Sequence, residues 1–233
     1  MHLIITIPAY NEENILEQTI EEIKQTMKSI DWDTYSILVQ DDGSTDDTFA
    51  IAKRIATYAY KNPKHLGLAS TFREEIKNCL RHGADIIVHT DADGQYPARY
   101  IPDLIRWLQQ GHDLVIGSRF LGSTRYGNSF LRGQQNRMFS KIMSLLSGFL
   151  ITDITSGFRA MNSKTAEQIS VRSQFTYTYD QYLQAIYLKL KIAEVPIEGR
   201  KTRSSKLVKN AFVYGCKAFK DIVTYHYLWK NPP

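Results

Sequence analysis

The stretch "HTDADGQYP", residues 89–97, decides the fold class, because it joins a buried strand to a polar turn. The run before it, "ADIIVHT" (84–90), is apolar, as in a strand whose sheet is covered on both faces. Asp91 and Asp93 follow at once, and alternate strand residues point to the same side. Such close carboxylates raise each other's pKa unless something positive lies between them. A divalent cation is the obvious candidate.

The ligand types at this turn favour Mg²⁺ or Mn²⁺, which bind oxygen and keep water or phosphate in the remaining positions. Gln95 adds a carbonyl oxygen to the two carboxylates. A polar turn capped by two aspartates is the alternative. An EF-hand is excluded, since Tyr96 and Pro102 stand where its glycine and glutamate are required.

Outward from this strand, the chain alternates between strand and helix patterns. The alternation predicts an α/β fold, with a mostly parallel central sheet flanked by helices. Further strands are predicted at 3–8, 35–40, 112–119 and 192–197. Helices are predicted after residue 12, from 46 to about 58, and at 67–83, 101–110, 134–148 and 178–190.

Composition limits the function classes. The 233 residues are 43% hydrophobic with a net charge of +5, which suits one folded catalytic domain and an anionic partner. Cys79 and Cys216 lie far apart, so a disulfide framework or a zinc knuckle is not expected. We find neither a signal peptide nor a stretch of about 20 apolar residues, and expect a cytoplasmic protein.

Four polar motifs follow predicted strands. Ligands of open α/β sheets bind beyond the carboxyl ends of the strands, so one cleft could collect all four motifs. The motifs are Pro8–Glu12, Asp41–Ser44, Asp91–Gln95 and Gly117–Arg119.

The full set of motifs resembles family 2 glycosyltransferases, and within them the dolichol- and polyprenol-phosphate hexose synthases. The resemblance rests on "PAYNEE", "DDGSTDDT", "DADGQYP", "GSRF" and "DITSGFRA", and runs from Leu3 to about Lys206. It implies a GT-A catalytic domain over residues 1–206. An amphipathic helix and tail would follow at 207–233, packed on the domain or at a membrane surface.

The resemblance also implies roles for residues that bind the donor. A first group matches residues that line the base and ribose: Pro8, Tyr10, Glu12 and Asp42. Asp42 is equally suited to turn chemistry around Gly43. Asp93 and Gln95 match direct metal ligands, whereas Asp91 matches a ligand nearer the sugar or ribose.

Basic residues of the matched motifs would bind phosphate, because guanidinium groups suit bidentate contact with phosphate oxygens. Arg119 and Arg137 match catalytic phosphate-binding positions, and Arg132 is a weaker candidate. The remaining candidates for the acceptor or diphosphate are Arg159, Arg200 and Lys206. Arg200 and Lys206 belong to "GRKTRSSK", in which Arg203 replaces the glycine of the family pattern.

Two further acidic residues have competing interpretations. Asp153 matches a residue that has been considered a catalytic base. As a carboxylate between apolar residues it could instead pair with Arg159 or Arg137. Asp180 matches an acidic position of many relatives, and it also suits the start of a helix.

The C-terminal segment combines an apolar face that includes Phe219 and Ile222 with lysines on the other side. It is interpreted either as a helix packed on the core or as an interfacial helix at an anionic membrane. A membrane-protein partner is a further alternative. The other residues of the pattern are Val208, Phe212, Gly215, Lys206, Lys209, Lys217 and Lys220.

The resemblance implies an inverting transfer of a hexose from GDP-mannose or a UDP-hexose to a polyprenyl-phosphate acceptor, with Mg²⁺ or Mn²⁺. A soluble or peripheral transferase acting on a glycan or a lipid-linked sugar is the alternative. A nucleotidyltransferase or a non-catalytic nucleotide-binding module fits less well. No nucleic-acid partner is expected, since no basic patch interleaved with aromatic residues is present.

Overall fold

The structure is a computed structural model that describes residues 1–30, 32, 34–121, 130–200, 217, 219–225 and 227. For residues 130–135, 146 and 147 it describes the backbone only.

A seven-stranded sheet forms the centre of the described part, in the order β3-β2-β1-β4-β6-β5-β7. Every paired neighbour is parallel except β6, which runs antiparallel to both β4 and β5. The strands are β1 Leu3–Ala9, β2 Tyr35–Asp41, β3 Tyr58–Lys61, β4 Ile86–His89, β5 Leu114–Ser118, β6 Arg159–Asn162 and β7 Ile192–Pro196.

Helices cover both faces of this sheet. They are α1 Leu16–Ser29, α2 Thr48–Ile55, α3 Leu68–Arg81, α4 Ile101–Gln109, α5 Phe130–Ser147, α6 Ser163–Gln168 and α7 Tyr177–Tyr187. One core joins Ile5 of β1 to α1 and α4, while Ile4 faces the other core beneath α3, α5 and α7. Full burial of one such side chain contributes roughly 1.5–3 kcal/mol, so the two cores fix the helices on the sheet.

The α/β class and the buried strands are confirmed by this architecture. Strands β3 and β6 and the short helix α6 were not predicted. The second predicted helix ends at Ile55 rather than near Tyr58, because the chain turns there into strand β3.

The reversed direction of β6 matters for the position of the site. Arg159 at the start of β6 lies opposite His89 at the end of β4. The segment that leads into β6 therefore reaches the edge of the sheet at which β4 ends.

The C-terminal segment is described only in part. Ile222 is fully buried in the second core, whereas Phe219 is half exposed. Lys206, Val208, Lys209, Phe212 and Gly215 lie outside the described residues.

Cys79 is a free, buried thiol. None of the described helices combines the length and apolar character needed to cross a bilayer.

Candidate active site

The carboxyl ends of β1, β2, β4 and β5 lie at one edge of the sheet, because these strands share one direction. All four polar motifs follow these ends. The topology therefore brings them to the same edge, as the sequence predicted.

The first two motifs are bonded to each other. The Asp42 amide donates to the Ala9 carbonyl at 2.8 Å, and the Asn11 amide donates to Ser44 Oγ at 2.9 Å. The Glu12 amide donates to Thr48 Oγ1 at 2.7 Å. These bonds fix the backbone at Tyr10 and Glu12 against the turn that follows β2.

Asp42 organises the loop between β3 and α3. Its Oδ1 accepts hydrogen bonds from Asn62 Nδ2 at 2.9 Å and the Leu66 amide at 2.8 Å. Its Oδ2 accepts from the Gly67 amide at 2.9 Å and lies 2.8 Å from His65 Nδ1. The ring of His65 also stacks on Tyr10, with 4.0 Å between the ring centroids.

Gly43 permits this loop to approach the turn. A Cβ at this position would lie 2.5 Å from the Lys64 carbonyl carbon, and its φ of +74° favours glycine. Gly43 therefore forms the turn that the sequence predicted, and the neighbouring Asp42 carboxylate binds the loop that packs against this turn.

The acidic motif forms a tight turn. The Gln95 amide donates to Asp93 Oδ1 at 2.9 Å, and Gly94 has a φ of +69°. Burial and the neighbouring Asp93 raise the pKa of Asp91 to about 6. A Cβ on Gly157 would lie 2.9 Å from Asp91 Oδ1, so the segment leading into β6 closes over this carboxylate.

This chemistry fits a divalent cation, which would offset the repulsion between Asp91 and Asp93. No group of three His, Cys, Asp or Glu side chains suitable for a metal occurs among the described residues. Two carboxylates and Gln95 would leave further coordination positions to water and phosphate, the arrangement that Mg²⁺ prefers.

Arg119 and Asp153 form a buried ion pair next to this turn. Arg119 Nε lies 2.7 Å from Asp153 Oδ2, and an Nη atom lies 2.9 Å from Oδ1. The other Nη atom donates to Gln95 Oε1 at 3.2 Å, so the guanidinium bridges Asp153 and the acidic motif. The charge of Arg119 opposes the rise in the pKa of Asp91.

Asp153 accepts more hydrogen bonds than this ion pair alone supplies. Asn136 Nδ2 donates at 2.8 Å, the Arg119 amide at 3.1 Å and Thr155 Oγ1 at 3.2 Å. Burial alone would raise the pKa of Asp153, but Arg119 and Asn136 outweigh it and hold the pKa below its usual value.

The predicted pairing of Asp153 with Arg159 or Arg137 is wrong, because Arg119 is its partner. Arg159 is fully buried and donates to the carbonyls of Ser156, Thr178 and Ile154 and to Gln181 Oε1. These contacts lie in the interior and hold the segment before β6 against α7.

The guanidinium groups of the other described basic candidates have different partners. Arg137 is exposed on α5, with its guanidinium carbon 5.6 Å from the centre of the Phe120 ring. Arg200 pairs with Glu22, and its amide donates to the Gln95 carbonyl at 2.8 Å. Lys206 and the side chain of Arg132 lie outside the described residues.

Asp180 lies in the first turn of α7, as its interpretation as a helix-start charge predicted, and its side chain is fully buried. Its carboxylate accepts from the amides of Arg172 and Ser173 and from Gln184 Nε2.

The family model for glycosyl transferase family 2 matches residues 4–170, which include every motif of this edge. The chain belongs to glycosyl transferase family 2. Its motifs are thus those of a glycosyltransferase, and the enzyme class predicted from them is confirmed.

Relatives of this family 2 glycosyltransferase have names that refer to lipid phosphates. The UDP-N-acetylglucosamine–dolichyl-phosphate N-acetylglucosaminyltransferase of Methanococcus voltae is 28% identical, over 93% of this chain and 93% of that protein. The polyprenol monophosphomannose synthase of Mycolicibacterium smegmatis is 28% identical, over 83% and 76%. The dolichol-phosphate mannosyltransferase of Pyrococcus furiosus is 29% identical, over 94% and 58%.

Solved structures confirm the GT-A fold of this glycosyltransferase. Glucosyl-3-phosphoglycerate synthase from Mycobacterium tuberculosis, crystallised with Mn²⁺, UDP and glucosyl-3-phosphoglycerate, aligns with a TM-score of 0.73. The alignment covers 100% of this chain and 81% of that chain at 19% identity. The same enzyme with Mn²⁺ and UDP-glucose gives a TM-score of 0.73 at 20% identity, over 100% and 80%.

Three groups around the described part of the site were not predicted from the sequence. His65 lies in an irregular loop, and Asn136 is one polar residue within a helix pattern. Glu75 of α3 and His89 of β4 form a fully buried ion pair, with 2.9 Å between Oε1 and Nε2. A charged residue, Glu75, within the helical pattern of α3 could have indicated a buried pair. Its partner could not be identified, because His89 belongs to a different element.

Proposed function

We propose that this glycosyltransferase moves a hexose from a nucleotide-diphosphate sugar to a polyprenyl-phosphate acceptor, with inversion at the anomeric carbon. One observation carries the proposal: Asp91 and Asp93 lie beside the Arg119–Asp153 pair at the edge where four strands end. Negative and positive groups side by side suit a diphosphate bound through a cation.

For the donor, Pro8, Tyr10, Glu12 and Asp42 are proposed to line the base and ribose, with the base against Tyr10 and Asp42. Asp93 and Gln95 would hold Mg²⁺ or Mn²⁺, with Asp91 at the ribose or sugar. When bound, the cation would neutralise the charge that develops on the leaving diphosphate.

For the reaction, an ionised acceptor phosphate needs little help from a base, since its oxygen is already a nucleophile near neutral pH. It would attack the anomeric carbon opposite the diphosphate, and one displacement inverts the configuration. Arg119 would stabilise phosphate charge while Asp153 holds its guanidinium in place, as preorganised charges do in active sites. Arg137, Arg200 and Lys206 remain candidates for the acceptor phosphate, whereas the interior contacts of Arg159 favour a structural role.

The acceptor assignment draws on the relatives' names and on helix α5. The inner side of α5 carries Asn136, which contacts Asp153. Its opposite side exposes Met138, Lys141 and Leu145, and Phe149 and Leu150 follow the helix. An apolar face with basic residues suits an anionic lipid surface, where a polyprenyl tail would remain.

The test combines nucleotide binding with transfer. We expect UDP or GDP to raise the melting temperature only with Mn²⁺ or Mg²⁺ present, because a ligand of the native state stabilises it. Asp93→Asn should abolish this shift, whereas Asp103→Asn, at a partly exposed residue of α4, should retain it. Mass spectrometry should then detect a hexosyl phosphate product from the matching donor and a short polyprenyl phosphate.

Two results would contradict the proposal. A full metal-dependent shift in Asp93→Asn would remove the ligand assignment. Transfer to a glycan, with none to the polyprenyl phosphate, would remove the acceptor.

A further inference from the structure

We propose that His65 competes with the nucleotide base for Tyr10 and Asp42 and thereby sets the affinity for the nucleotide. This inference rests on the proposed function, which assigns the base to Tyr10 and Asp42.

The contacts of His65 are those that a nucleobase would require at these residues. Its planar ring stacks on the Tyr10 ring, with a centroid distance of 4.0 Å and an interplanar angle of 28°. Its Nδ1 lies 2.8 Å from Asp42 Oδ2, where an N–H group donates to the carboxylate. Uracil and guanine are also flat rings that carry an N–H donor. The imidazole is therefore a small internal substitute for the base.

Asp42 has little capacity for an additional donor. Besides His65, its two oxygens accept hydrogen bonds from Asn62 Nδ2 and from the amides of Leu66 and Gly67. Each oxygen thus already takes two donors, which matches its two lone-pair directions. A base that bonds to Asp42 must replace a donor rather than join the set.

His65 is the donor that can leave at the lowest cost. Its side chain is 53% exposed, so the imidazole can return to water and regain hydrogen bonds there. The Leu66 and Gly67 amides belong to the backbone, and Asn62 is buried with a second bond to Thr71. Loss of His65 leaves these three donors in place, so the loop keeps its anchor on Asp42 while the ring moves away.

The experiment measures nucleotide binding to the full chain by calorimetry with Mn²⁺. His65→Ala should bind UDP or GDP about five- to tenfold more tightly than the wild type, because the base no longer displaces a charge-assisted hydrogen bond. His65→Phe keeps a ring on Tyr10 without the donor, and should show a smaller gain.

Two controls isolate the base subsite. Mn²⁺-pyrophosphate has no base, so its affinity should be equal in the wild type and in His65→Ala. The His82 ring stacks on Tyr58, the first residue of β3, with 3.7 Å between the ring centroids, and His82→Ala should leave nucleotide affinity unchanged.

Each other outcome overturns the inference. Weaker nucleotide binding in His65→Ala would make His65 part of the binding surface. An unchanged affinity, or an equal gain for pyrophosphate, would remove the competition. Absence of nucleotide binding in the wild type would overturn the proposed function as well, whereas the preceding results would leave that function intact.

Discussion

Asp153 illustrates how its surroundings decide the role of one carboxylate. The side chain is fully buried, is ion-paired with Arg119 and accepts further hydrogen bonds from Asn136 and Thr155. A catalytic base works best with a pKa near the working pH, but these contacts hold the pKa of Asp153 low. We therefore favour Asp153 as a positioning residue for Arg119.

Replacement of Asp153 by Asn should reveal this pairing in the stability of the protein. The variant leaves Arg119 buried without its counter-charge, and we expect it to lose about 3–5 kcal/mol of unfolding free energy near pH 7. Since the native pKa of Asp153 is lowered, its contribution is present above the unfolded pKa of about 3.9 and is lost as the pH falls through the native value.

Urea unfolding of both proteins between neutral and acidic pH would test this dependence. Asp103→Asn, which breaks an exposed pair with Arg106, serves as the control and should change stability little. An Asp153→Asn difference that stays constant down to pH 2 would contradict the assignment.

At the scale of elements, the Glu75–His89 pair joins α3 to β4 below the acidic motif. Thr6 Oγ1 donates to Glu75 Oε2 at 3.2 Å, and His89 Nδ1 lies 2.7 Å from the Gly157 carbonyl. Burial would lower the pKa of His89, but Glu75 outweighs burial and raises it. The helix, the strand and the segment before β6 are thus connected through one imidazole.

A double-mutant cycle should measure this connection. Glu75→Gln or His89→Gln alone leaves the other partner buried without its counter-charge, whereas the double variant replaces both partners. We therefore expect the double variant to lose less stability than the sum of the single losses, with a coupling of about 1–3 kcal/mol. If chemical unfolding showed a stability loss in the double variant equal to the sum of the two single losses, the two side chains would act independently.

At the scale of the whole molecule, the sheet class was predictable because its buried strands form continuous apolar runs. Strands β3 and β6 were missed for a physical reason: each has only four residues, and neither "YAYK" nor "RAMN" forms an apolar run. The site motifs were predictable because they directly follow strand ends. The partner of Asp153 was not, since Arg119, Arg137 and Arg159 are equivalent until the fold is known.

Helix α5 leads to a prediction for the molecule on a lipid surface. We expect the chain to bind vesicles that contain anionic lipid, and Leu145→Ser with Leu150→Ser to weaken this binding by about tenfold or more, since both leucines would be buried in lipid. Leu188→Ser changes an exposed leucine at the end of α7 and should have no effect in the same sedimentation assay. Equal weakening by Leu188→Ser would exclude α5 as the contact.

Strand β6 runs opposite to β4 and β5, so it begins at the edge of the sheet where those strands end. The register of β6 against β4 therefore sets the spacing between Gly157 and Asp91. A strand advances about 3.3 Å per residue. A slip of two residues against β4 would preserve which side chains face inward, yet displace Gly157 by about 7 Å. Insertions between β5 and β6 are therefore tolerable only where they leave the pairing of β6 with β4 unchanged. The four residues of β6 thus hold Gly157 at a fixed distance from Asp91.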